Sequence, residues 1–136
     1  MNSTYWLNRV MNTMYTEGTD TFYLGLSSAK PAKDGSGVVE PSGNNYARVQ
    51  VTAFTIPNNG VVKNVNALEF PRSTGIWFDD PKAAYWVLFD GAGSDANVIS
   101  SGSLDEPKSI ESNTIVVIAA ETLSVTLTDY SPEASV

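Results

Sequence analysis

Two hydrophobic periods divide this chain. In the first segment Leu7, Val10, Met11 and Met14 recur at i, i+3, i+4 and i+7, one face of a helix. Trp6 flanks that face. Asn2, Ser3 or Thr4 supplies an N-cap, and Gly18 stands just past the end. The pattern predicts a helix over about residues 3–15. So short a helix is marginal without packing. Its apolar stripe therefore rests on its own domain or docks on a neighbouring subunit.

After Gly18 the period falls from 3.6 to 2. Phe22, Leu24 and Leu26 alternate with Tyr23, Gly25 and Ser27, which predicts a half-buried strand. Residues 29–45 read as a long loop rich in Gly and Pro. Residues 46–54 alternate again, with Val49 and Val51 opposite Arg48 and Gln50. Pro57-Asn58-Asn59-Gly60 is turn chemistry, with Asn-Gly suited to positive φ. Residues 61–70 change phase midway, so one bulged strand or two short ones are expected. Residues 71–81 form a predicted loop carrying Trp77 and Phe78. Residues 83–89 are apolar on both faces, Tyr85, Val87 and Phe89 against Trp86 and Leu88, as in a central or interface strand. A weaker strand is predicted at 98–104, a continuous apolar run follows at 115–120, and Leu123, Val125 and Leu127 alternate with Ser124, Thr126 and Thr128 before a fraying tail.

Seven or eight short strands separated by Gly, Pro and Asn predict a mainly β fold. The expected form is an antiparallel β-sandwich or jelly-roll-like domain with one N-terminal α-helix. A chain of 136 residues buries one core, not two. The expected organisation is a helical attachment or oligomerisation arm over 1–18, a β-sandwich domain over 19–130, and a tail over 131–136.

Composition narrows the chemistry. Charged residues are 17%, and 15 Ser, 12 Thr and 11 Asn take up the polar surface. With no Cys and no His, disulfides, thiolate nucleophiles, Cys/His zinc sites and imidazole acid–base catalysis are excluded. The net charge is −7, and the whole excess lies after Arg48. Eight scattered Lys and Arg supply no basic face, so nucleic acid and anionic membranes are not expected partners. No apolar run is long enough to span a membrane, and the N-terminus lacks a secretory-signal layout. Synthesis in a cytoplasm follows as the expectation.

Three groups of residues carry candidate chemistry. Asp79-Asp80, Asp90 to Asp95 and Asp34-Gly35-Ser36-Gly37 with Glu40 offer oxygen ligands for calcium, but none has the spacing of a calcium loop and each reads as a turn. No carboxylate pair is singled out for glycoside hydrolysis. No catalytic, cofactor-binding or metal-binding residue is therefore assigned. Among the aromatics, Trp77, Phe78, Tyr85 and Trp86 either stack on sugars and partner proteins or fill a core, and periodicity places Tyr85 and Phe89 in the core. Interface candidates are Trp6, Leu7, Val10, Met11, Met14, Trp77 and Trp86. In the third group Arg48 pairs with Glu40 or Asp34 and ties the long loop to the sheet, a weak contact if exposed.

The order of motifs resembles a family of small tailed-phage virion proteins of the "phage tail fiber protein" type. It runs Tyr23-Leu24-Gly25-Leu26-Ser27, Asp34-Gly35-Ser36-Gly37, Glu40-Pro41-Ser42-Gly43 and Tyr46-Ala47-Arg48, then Phe70-Pro71, Trp77, Phe89-Asp90 and Gly102-Ser103-Leu104-Asp105-Glu106-Pro107. The likeness spans about residues 23–128. Two places depart from it: Ala120-Glu121-Thr122 stands where the family usually has Gly, and Phe78-Asp79-Asp80 follows the Trp instead of Gly. The resemblance implies a non-enzymatic virion structural protein without cofactors. The expected form is an oligomeric accessory, such as a trimer, on the particle exterior as head decoration, cement or collar. Its partners would be other capsid, neck or tail proteins, and its assembly site the host bacterial cytoplasm. The alternative is a tail-fibre or receptor-binding module that recognises host-surface carbohydrate.

Overall fold

The computed structural model describes residues 2–18 and 20–127. The expected tail at 131–136, and Thr128 at the end of the last predicted strand, lie outside the described residues. Among the described residues the chain is mainly β, with eight strands in antiparallel sheets that follow one N-terminal α-helix in sequence. Helix α1 (Thr4–Met11) starts where the Ser3 side chain accepts the Trp6 N–H, and it continues into a π-helical turn, Asn12–Glu17. The strands are β1 (Phe22–Ser27), β2 (Val49–Val51), β3 (Val61–Lys63), β4 (Leu68–Glu69), β5 (Phe78–Phe89), β6 (Val98–Ile110), β7 (Val117–Ile118) and β8 (Ser124–Thr126). They fall into two compact units.

The larger unit comprises Thr21–Thr52 and Leu68–Ile118. Its four-stranded sheet has the order β2-β1-β5-β6, and β4 pairs with β7. Strand β1 is central and buried on both faces, not half-buried as expected. Leu24 and Leu26 fill one face; Gly25 and Ser27 leave room on the other for the long loop to pack. Burying each leucine contributes about 1.5–3 kcal/mol. Strand β5 begins at Phe78, inside the predicted loop, because Phe78 pairs with Ile110 across the sheet. Tyr85 is half-buried rather than core, whereas Phe89 is buried as expected. Ala83 pairs with Lys108 and Tyr85 with Ser103, so Ala84 alone faces residues 104–107 in a bulge.

The smaller unit gathers the described parts of Met1–Asp20, Ala53–Ala67 and Ala119–Val136. Asn59 and Gly60 both take positive φ, 54° and 74°. Asn58 and Val61 exchange two backbone hydrogen bonds across them, the two-residue turn that Asn-Gly predicts. The Gly60 N–H donates to Asn8 Oδ1 at 2.7 Å, which fixes the helix against this turn. Buried Asn64 donates to the Asn66 and Ala119 carbonyls and accepts the Leu123 N–H. It thereby joins three strand ends without leaving a polar atom unpaired. The phase change over 61–70 is resolved by ending β3 at Lys63 and starting β4 at Leu68. The two strands pair with different partners, β8 and β7.

Candidate functional site

In the larger unit the motifs scattered along the sequence converge. Arg48 Nη2 lies 2.7 Å from Glu40 Oε1, and its Nε donates to Oε2 at 3.1 Å. Arg48 Nη1 donates to the Gly91 and Gly93 carbonyls at 3.1 and 2.7 Å. The guanidinium carbon stands 3.4 Å from the centre of the Phe89 ring. The Tyr46 hydroxyl donates to Glu40 Oε2 at 2.5 Å and accepts the Leu26 N–H at 3.1 Å. Burial first, and then the bond to Glu40, hold the Tyr46 phenol well above its usual pKa. The side chains of Arg48 and Glu40 are only 10% and 16% exposed, so this pair is of the buried kind. Their geometry anchors the loop and leaves neither group free for acid–base work.

Asp34 does not take part. It accepts the backbone N–H and hydroxyl of Ser36, which pull its pKa below the usual carboxylate value and close a local turn. Asp90 is engaged in the same way by the side chain and backbone N–H of Asn97, which lower its pKa. Among the described residues no cluster of acids is arranged to hold a metal ion.

Trp77 is core. It is 6% exposed, and its indole N–H donates to the Asn44 carbonyl at 2.8 Å. Its ring meets Tyr46 edge-on at 5.1 Å and Phe70 at 6.4 Å. An exposed Trp77 platform for sugars or partners is thereby corrected: the Phe-Pro and Trp motifs serve one aromatic cluster. Residues 43–45 that receive it all take positive φ, at 80°, 54° and 68°. Asn45 also donates to the Arg72 carbonyl. Sequence reasoning missed Asn44, Asn45 and buried Ser73, which donates to the Glu111 carbonyl and accepts the Thr114 N–H. The Gly-Asn-Asn run was the one available signal, since Asn tolerates positive φ best after Gly.

The remaining interface candidates divide. Met11 is buried, and Leu7 and Val10 are half-buried, as an inward helical stripe requires. Trp6 and Met14 are each 49% exposed. Tyr5 and Ile56, not singled out beforehand, are 68% and 84% exposed. Both line a shallow groove with Asn8, Arg9, Asn12 and Pro57. Trp86 is half-buried over Gly102 of the neighbouring strand.

Residues 1–126 match the family model of the podophage GP4 fiber I protein gp80. The chain belongs to that family. It is a phage fibre protein, a structural component of the virion that associates with other virion proteins. The podophage fiber I family replaces head decoration with the fibre as the frame for its role. No curated protein matches the chain. Among the described residues no helix is long and apolar enough to cross a membrane.

Proposed function

We propose that this chain is a non-enzymatic structural subunit of a podophage tail fibre, docking on a neighbouring virion protein through its N-terminal unit. The observation that carries the reading is the exposure of four large apolar side chains, Tyr5, Trp6, Met14 and Ile56, on a unit whose helix is otherwise packed, with Tyr5 and Ile56 lining one groove. Exposed aromatics on a folded surface suit protein contact. The inward stripe of Leu7, Val10 and Met11 holds the helix, so the outward residues are free for a partner. The non-enzymatic part rests on Glu40, Arg48 and Tyr46, whose charges and hydroxyl are used to fix a loop. Assembly in the host cytoplasm, as a homo-oligomer, belongs to the same reading.

The test uses the triple variant Tyr5→Ser, Trp6→Ser, Ile56→Ser mixed with particles that lack the protein. Incorporation is expected to be lost while the circular-dichroism melt stays unchanged. Undiminished incorporation would remove the docking role.

One observation favours a second reading, recognition of host-surface carbohydrate. A groove of about 330 Å³ places exposed Ile76, Asp79 and Asp80 beside Ser28 and Val39. Carboxylates beside an apolar wall suit a sugar's hydroxyls and its apolar face. Glycan-array binding that disappears in Asp79→Asn, Asp80→Asn would support it; a blank array with folded wild-type protein would count against it.

A further inference from the structure

We infer that the groove of the N-terminal unit takes an acidic segment of a neighbouring virion protein, with an Asp or Glu side chain on Arg9 and an adjacent apolar side chain on Ile56. The inference rests on the docking reading above and names the chemistry of the partner. The groove has a volume of about 490 Å³ and is lined by Tyr5, Asn8, Arg9, Asn12, Ile56 and Pro57. Sites of that size hold a small ligand or a short stretch of chain rather than a broad protein face.

The chain's three arginines differ in how they are engaged. Arg48 is occupied by Glu40, the Gly91 and Gly93 carbonyls and the Phe89 ring. Arg72 donates to the carbonyl and the Oδ1 of Asn113. Arg9 is exposed, and among the described residues its guanidinium makes a single hydrogen bond, from Nη1 to the neutral Tyr5 hydroxyl at 3.0 Å. No carboxylate of the described residues lies within ion-pair distance of it. A guanidinium carries five N–H donors, so most of this fork is open to a ligand. Tyr5 and Arg9 are one helical turn apart, and the bond between them orients the fork before a partner arrives.

Asn8 adds donors of the same sense. Its Oδ1 accepts the Gly60 N–H at 2.7 Å, which fixes the amide orientation. Among the described residues its Nδ2 has no acceptor. No acidic side chain lines the groove, and Glu17 is turned to Asn12, whose Nδ2 donates to it at 2.6 Å. The polar half of the groove thus offers donors and a positive charge, on a chain whose net charge is −7. The other half, Ile56, Pro57 and the Tyr5 ring, is apolar. A carboxylate meets the planar fork with two parallel hydrogen bonds. An Asp or Glu beside a Leu, Ile, Val or Phe supplies both halves from one short segment. A free phosphate lacks the apolar part, and a neutral sugar lacks the charge.

The probe is the particle that lacks this protein. Arg9→Glu is expected to lower association with it roughly a hundredfold and Arg9→Gln about tenfold, with Arg9→Lys between the wild type and Arg9→Gln. Raising NaCl from about 50 to about 500 mM should weaken wild-type association and leave that of Arg9→Gln nearly unchanged. Circular-dichroism melts should match the wild type, because Arg9 is exposed and bonds only an exposed hydroxyl. With p-benzoylphenylalanine in place of Ile56, illumination should cross-link the chain to another virion protein, at a peptide where an Asp or Glu stands beside a large apolar residue. Changing that acid to Lys should restore the association of Arg9→Glu. Full association of folded Arg9→Glu, while the triple variant Tyr5→Ser, Trp6→Ser, Ile56→Ser fails to associate, would overturn this inference and leave the docking reading intact. Association of the triple variant, or none by the wild type, would remove both. Cross-linking only to a second copy of this chain, or no rescue by the charge swap, would also overturn it.

Discussion

Arg48 holds Glu40 at two points, Nη2 to Oε1 at 2.7 Å and Nε to Oε2 at 3.1 Å. The pair joins the end of a loop to the sheet, where solvent is largely excluded. Removing one partner leaves the other charge buried and unpaired. Glu40→Gln is expected to cost about 3 kcal/mol, measured by urea denaturation, and Arg48→Met in the same background should cost much less than it does alone. Additive losses would show that the two side chains act separately.

Gly25 is where this network touches the central strand. A Cβ there would lie 2.6 Å from Glu40 Oε2, 2.9 Å from the Tyr46 hydroxyl and 3.0 Å from Phe89 Cε2. Gly25→Ala is therefore expected to destabilise by about 1–3 kcal/mol, through crowding rather than backbone conformation. An unchanged denaturation midpoint would mean that the loop moves aside freely.

Tyr46 couples the cluster to alkaline pH. Its folded pKa is raised, so the folded state keeps a proton that the unfolded chain loses above the usual tyrosine value near 10. The contribution is fully present below pH 10 and is lost as pH rises beyond it. Urea midpoints at pH 9 and pH 11 should fall more for the wild type than for Tyr46→Phe. Parallel falls in the two proteins would contradict this.

Glu121 takes φ 61°, a left-handed conformation costly for a residue with a Cβ. Glu121→Gly should relieve the strain, partly offset by a freer unfolded chain, for a net gain of about 0.5–1 kcal/mol. Its N–H bond to the Asn64 carbonyl should persist. A loss of stability would show that the carboxylate has a partner in solution.

Much of the fold was legible because its signals are local. The helical spacing of Leu7, Val10 and Met11, the alternation through Phe22–Leu26 and the Asn59-Gly60 turn each depend on near neighbours. Other features depend on partners distant in sequence. Asp79-Asp80-Pro81 reads as a turn, yet it lies in β5 because Phe78 and Ala83 on either side pair with β6. Gly25 and Ser27 read as an outward face, yet the loop ending at Arg48 covers them. Trp77 in a predicted loop is buried because the Asn44 carbonyl, 33 positions away, accepts its N–H. The ordered motifs marked which residues matter. Their convergence on one anchoring cluster required the three-dimensional register of β1 and β5.

The central claim is that this chain works in the tail fibre. Cryo-electron microscopy of the intact particle, with the chain's eight-strand fold fitted into density, tests it most directly. The account places that density in a fibre attached to the tail, with the Tyr5, Trp6 and Ile56 surface against a neighbouring virion protein. Density for the fold on the capsid shell, and none in the tail fibres, would contradict it.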